Sequence, residues 1–288
     1  MNRIRSCLPS FCLWREEGKF SSARINDAMA NPVCIWCLNE SVDTDVEHII
    51  PQVLGCPDDF VLPGSVVCRG CNNKLAHLDR ALADEYDFST FRARVPGRKG
   101  KLPTVRRRGN VVGTLESSGP VITINMERHS VRAHDGTIAG AYQAKGRNVD
   151  ATFSVIGSAA HIKFETTFGA GPKFARGLTK VAFSFLAFFK GAEDVCAPKY
   201  DAIRKFVKLG QGNRHVMMLD CGDQKYQSGP ASLHSSESND HMVEFRIGHA
   251  NYFVDLSENE PYLRSMEQSM KAVCGSIAWC VLPIEKPS

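Results

Sequence analysis

The chain has 288 residues, of which 43% are apolar and 23% charged, with a net charge of +4. Those proportions suit a globular protein with room for two modest domains and speak against bulk disorder. The longest apolar stretch, 181–189, is far shorter than the ~20 residues of a membrane helix, so no membrane partner is expected.

The start of the chain is too interrupted for a secretory signal. Pro9 breaks its apolar patch, and Arg15, Glu16 and Glu17 follow at once. Residues 1–30 read as a weakly ordered lead-in. Eleven cysteines without a signal segment point to a reducing, cytoplasmic setting, where paired cysteines more often mean metal than disulfide.

Residues 31–90 hold those pairs. Cys34-Ile-Trp-Cys37 and Cys68-Arg-Gly-Cys71 are two C-x2-C knuckles. Each can grip one side of a tetrahedral zinc, and together they leave no open position, so the expected zinc is structural. Between them stands Glu47-His48-Ile49-Ile50-Pro51, and Asn72-Asn73-Lys74 follows the last cysteine. A helix should begin at the second knuckle and pack Leu75, Leu78 and Leu82 on the zinc frame, with Asp79 at the surface. Adjacent strand residues face opposite ways, so Glu47 and His48 cannot both face a metal from a regular strand, and a bend or distorted hairpin is expected there. Trp36 reads as packing.

The segment that follows is basic. Arg92, Arg94, Arg98, Lys99, Lys101, Arg106, Arg107 and Arg108 occur with no acid between residues 88 and 115. Pro96, Gly97, Gly100 and Pro103 break any helix, so 91–110 reads as a linker or strand pair. Its charges are the expected phosphate contacts, because the acidic 31–90 segment repels a nucleic-acid backbone.

Residues 111–288 read as a larger α+β domain of unknown type and role. Strands are expected at 121–124, 152–156, 160–164, 215–219, 242–247, 252–256 and 277–282. Phe174, Leu178, Val181, Phe185 and Phe188 recur at helical spacing, which predicts a core helix. A second helix should follow Pro198, with Ile203, Phe206 and Val207 inward and Gly210 as its C-cap. The polar stretch 228–240 reads as a loop.

The combined pattern in 31–90 resembles the HNH endonuclease family, in its four-cysteine zinc subgroup within the ββα-metal superfamily. The resemblance implies an α+β protein with an N-terminal, zinc-bound, treble-clef-like module. It implies hydrolysis of phosphodiester bonds in DNA, expected to be double-stranded. His48 would be the general base, and Glu47 and Asn72 would hold a catalytic Mg or Mn. Asn73 with His77 is a second possible ligand register. Glu47 stands where many family members carry Asp. Hydrolysis needs an activated water and a counter-charge, which a histidine and a hard divalent ion on oxygen ligands supply. The competing expectation is a zinc-stabilised nucleic-acid or protein adaptor without catalysis, and a further one makes 111–288 a sensor that governs the nuclease.

Overall fold

The computed structural model describes residues 15–16, 33–40, 46–96, 105–107, 111–116, 119–124, 142–146, 149–156, 159–165, 168–169, 171–222, 224–273 and 278–283. The chain forms two compact units. One joins residues 1–83 to 169–288, and the other is residues 84–168.

The first unit is α+β. Strand β1 (Arg15–Glu16) and the short pair β2 (Glu47–His48) and β3 (Val61–Leu62) precede helix α1 (Arg69–Arg92), which runs on into the second unit. After residue 169 come α2 (Pro172–Lys190), α3 (Ala192–Val195) and α4 (Asp201–Leu209). A sheet is built from β10 (Val216–Asp220), β11 (Ala231–Ser235), β12 (His241–Ile247), β13 (Ala250–Asp255) and β14 (Trp279–Leu282), with helix α5 (Pro261–Val273) inserted before β14. Its order is β1-β11-β12-β13-β10-β14, and every pairing is antiparallel.

Helix α2 is the centre of this unit. It starts with Pro172 in the first turn, where a missing N–H costs nothing, and it ends at Gly191. Most of its side chains are buried, as expected of a helix that is apolar nearly all round. On one side Phe185 meets Phe245 of β12 at 5.8 Å, and Phe174 meets Tyr252 of β13 at 6.3 Å. On another side Phe183 packs on Trp36 at 5.1 Å, and Phe185 takes Phe60 edge-on at 5.1 Å. The cysteine-bearing segment is therefore docked on α2, and Trp36 packs as expected. A further apolar cluster joins Leu263, Met266 and Met270 of α5 to Met217, Leu219, Met242 and Phe253 of the sheet.

The expected strands and helices of 169–288 are present, with Gly210 in the left-handed conformation that caps α4. Two elements were not expected. Residues 231–235 form β11 rather than a loop, and 261–273 form α5. Among its described residues, the second unit contains two three-stranded antiparallel sheets. One is β4 (Val105–Arg107), β5 (Val111–Glu116) and β6 (Gly119–Ile124). The other is β7 (Tyr142–Gly146), β8 (Val149–Ile156) and β9 (Ala159–Glu165). Apart from β1, the lead-in 1–30 lies outside the described residues. Among the described residues, no helix is long and apolar enough to cross a membrane.

Candidate metal centre and its hairpin

The four cysteines converge. The Sγ atoms of Cys34, Cys37, Cys68 and Cys71 all lie within 4.8 Å of one another. Cys37 and Cys68 stand 3.8 Å apart. Four sulfurs about 2.3 Å from a central zinc, arranged as a tetrahedron, would stand roughly 3.8 Å from each other. The cluster can therefore hold a zinc ion, with four sulfur ligands and no open position.

Local backbone makes this possible. The first knuckle closes through the Leu38 N–H to the Cys34 carbonyl, 2.8 Å, with Leu38 at positive φ. The second knuckle is the first turn of α1, where the Asn72 N–H meets the Cys68 carbonyl at 2.9 Å. The Ile35 N–H reaches the Val66 carbonyl at 3.1 Å and ties the two together. Backbone N–H groups also point at sulfur: Cys68 at Cys34 Sγ and Cys71 at Cys68 Sγ, both 3.4 Å. The Cys71 thiol and the backbone N–H groups of Cys68, Cys37 and Trp36 hold the Cys34 thiol down to about 4 against the opposing effect of burial. Cys71, which donates to Cys34, is pushed up, and burial raises Cys37. One sulfur is thus readily charged, and a cation would draw the protons from the rest.

The hairpin between the knuckles is regular at Glu47 and His48, where a bend or distortion was expected, because the backbone there is held by its pairing with Val61 and Leu62. Glu47 pairs with Leu62 and His48 with Val61, and the chain bends only at Ile49 and Ile50. The ladder therefore sends Glu47 and His48 to opposite faces. Glu47 is 3% exposed. Its Oε1 lies 2.6 Å from the Lys180 ammonium of α2, which is 1% exposed. Lys180 also donates to both oxygens of Asp79, at 2.8 and 2.9 Å. Asp79, expected at the surface, is instead the second counter-charge of a buried lysine. Burial raises the Glu47 carboxyl, and Lys180 works against that rise. On Lys180 burial is the largest effect and opposes charge, yet Asp79 and Glu47 together outweigh it and hold the ammonium protonated.

His48 is half-buried. Its Nδ1 is buried and has no hydrogen-bond partner among the described residues. Asn72 is half-buried on the first turn of α1, two turns before Asp79 and on the same helix face. His77 is tied to its own helix through the Lys74 carbonyl at 2.8 Å. Below the hairpin, the turn at Leu54 is clamped by the loop before β11. Tyr226 donates to the Leu54 carbonyl at 3.2 Å, and the Ser228 hydroxyl donates to the same oxygen. Gly229 has φ +72, and a Cβ there would lie 2.7 Å from Phe60, so the loop and hairpin close on each other only with glycine. Lys208 of α4 holds the Trp36 carbonyl at 3.1 Å.

The fold thus brings together the cysteine quartet, the Glu47–His48 hairpin and the start of α1. Of the basic run, Arg94 is exposed just after α1, Arg106 and Arg107 lie on β4, and Arg92 ends α1. Arg98, Lys99, Lys101 and Arg108 lie outside the described residues. Lys180 was not singled out from the sequence, although a signal existed. It is the one charged residue between Arg176 and Lys190 of a helix that is otherwise nearly all apolar, and such a charge must find a counter-charge inside.

A scan against protein-family models, a search of curated proteins and a search of solved structures each return no match.

Proposed function

We propose that the chain is a metal-dependent endonuclease of the HNH type, with zinc in the cysteine quartet and phosphodiester hydrolysis at the Glu47–His48 hairpin. The observation that supports this reading is the placement of that hairpin and of α1 on one four-cysteine frame, in ββα order. Zinc there fixes the hairpin and the first turn of α1 against each other. The hard donors for a second, catalytic ion are the Glu47 carboxylate and the Asn72 amide oxygen. Lys180 engages Oε1 of Glu47, so Oε2 would be the oxygen left to hold such an ion. The bound divalent ion supplies positive charge against the developing negative charge on phosphate. His48 is the base in this reading and would take the proton of the attacking water at Nε2, since Nδ1 is buried; the ladder turns it to the face opposite Glu47, so this chemistry requires the strand to bend at His48 when metal and substrate bind. The arginines and lysines of the 92–108 run bind the backbone of double-stranded DNA. The experiment is incubation of supercoiled plasmid with zinc-loaded protein and Mg or Mn, beside a chelator control. Nicked or linear product only with added metal supports the reading.

A second reading has its own observation. Glu47 is buried and ion-paired, which suits a zinc-stabilised binding module whose carboxylate is purely structural. Tight DNA binding without any metal-dependent cleavage would favour it.

A further inference from the structure

A metal-binding carboxylate beside a buried lysine poses an electrostatic problem. The Lys180 ammonium lies 2.6 Å from Glu47. Alone, that pair is neutral, and a divalent ion approaching Glu47 would meet the lysine's field at short range. Asp79 changes the sum. It takes Lys180 with both oxygens, at 2.8 and 2.9 Å, and its own side chain is 27% exposed. The three groups together carry one negative charge. That charge is shared by the two carboxylates that flank Lys180.

We infer that Asp79 is a positioning residue for the catalytic metal: by neutralising Lys180 it returns to Glu47 the charge that a divalent cation requires, while Lys180 fixes the carboxylate by one oxygen. Partners that orient a ligating group and tune its charge are a general feature of metal sites. The placement of Asp79 fits this role. It lies two turns beyond Asn72 on the same face of α1, so one helix carries both a direct ligand and the group that conditions the other ligand. Lys180 comes from α2, so the site is complete only when the segment after residue 169 is docked on the hairpin.

The inference rests on the nuclease reading and makes a sign prediction that a packing role does not. Asp79→Asn leaves Lys180 and Glu47 as a neutral pair, and affinity for Mn should fall about tenfold or more. Asp79→Asn combined with Lys180→Met restores a single negative charge on Glu47, and affinity should recover most of that loss. A residue that mattered only for packing would make the double variant worse than either single one. The measurement is free Mn, followed by its paramagnetic resonance signal, titrated with zinc-loaded wild type, both single variants and the double variant. Zinc content and thermal midpoint are recorded beside it, and plasmid cleavage is run on the same samples. Loss in Asp79→Asn with recovery in the double variant is the expected result. Unchanged Mn affinity in Asp79→Asn, or no recovery in the double variant, overturns the role of Asp79 while a cutting wild type keeps the nuclease reading intact. A wild type that neither binds Mn nor cuts overturns both.

Discussion

The Lys180 ammonium of α2 lies 2.6 Å from Glu47 Oε1 on the hairpin between the two cysteine knuckles. That ion pair binds the residues that carry the candidate chemistry to a helix far along the chain. It also decides how substitutions around the site should behave.

Removing the lysine leaves Glu47 and Asp79 without their common partner. Breaking a buried ion pair by deleting one member costs about 3–5 kcal/mol, so Lys180→Met should lower the stability measured by urea denaturation at neutral pH by that order. The pH dependence has a defined sign. Burial raises the Glu47 carboxyl, and Lys180 opposes the rise. A carboxyl whose folded value lies above its unfolded one, about 4.3, costs stability when ionised, and the cost fades as pH falls through the folded value. The gap between variant and wild type should therefore narrow as the solution is acidified. A gap that widens instead would contradict the assignment.

Zinc should be present at one ion per chain by elemental analysis. Cys68→Ser should lose it and melt the hairpin together with the first turn of α1, because the free energy of a structural zinc site, roughly 10–16 kcal/mol in small domains, is folding free energy. Retention of both metal and thermal midpoint in Cys68→Ser would argue against the cluster as a metal site.

Helices α1 and α2 approach each other closely at Gly177. A Cβ there would lie 2.9 Å from Leu82 Cγ and 3.2 Å from the Leu78 carbonyl. Overpacking costs about 1–3 kcal/mol, against the ~1 kcal/mol that alanine gains over glycine in a helix. Gly177→Ala should destabilise on balance, and it should disturb the Lys180–Asp79 ion pair one turn further along. A stabilised variant would show that the helices have room to spare.

Much of the site is legible in the sequence because its signals are local. Two C-x2-C pairs announce a knuckle by spacing alone, and the helix that begins at the second knuckle carries Leu75, Leu78 and Leu82 on one buried face. The Phe-rich stripe likewise marks α2. The direction of Glu47 is not legible. Alternation says only that Glu47 and His48 face opposite ways, and the inward choice depends on Lys180, a partner no local pattern names. Asp79 reads as a surface residue for the same reason, since its counter-charge lies 101 residues away. Strand β11 is hidden by its serines and histidine. It is held in place by pairing with β12, for example Leu233 opposite Val243. Helix α5 shows only Leu263, Met266 and Met270 as an apolar stripe, diluted by Ser265 and Ser269.

The basic run bears on binding rather than catalysis. Charge reversal at Arg106, Arg107 and Arg108 should weaken DNA binding at low salt. It should also flatten the dependence of log affinity on log salt by about 0.9 for each phosphate that is no longer neutralised. An unchanged slope would remove these residues from the interface.

The central claim is that His48 activates water for phosphodiester cleavage, and its most direct test is single-turnover plasmid cleavage by wild type and His48→Ala, both verified for zinc content and fold, with Mg or Mn added. Cutting by the wild type is expected, with a loss of about 100-fold or more in His48→Ala, the usual contribution of a general base. Equal cutting by both proteins, or none by a folded and zinc-loaded wild type, would contradict it.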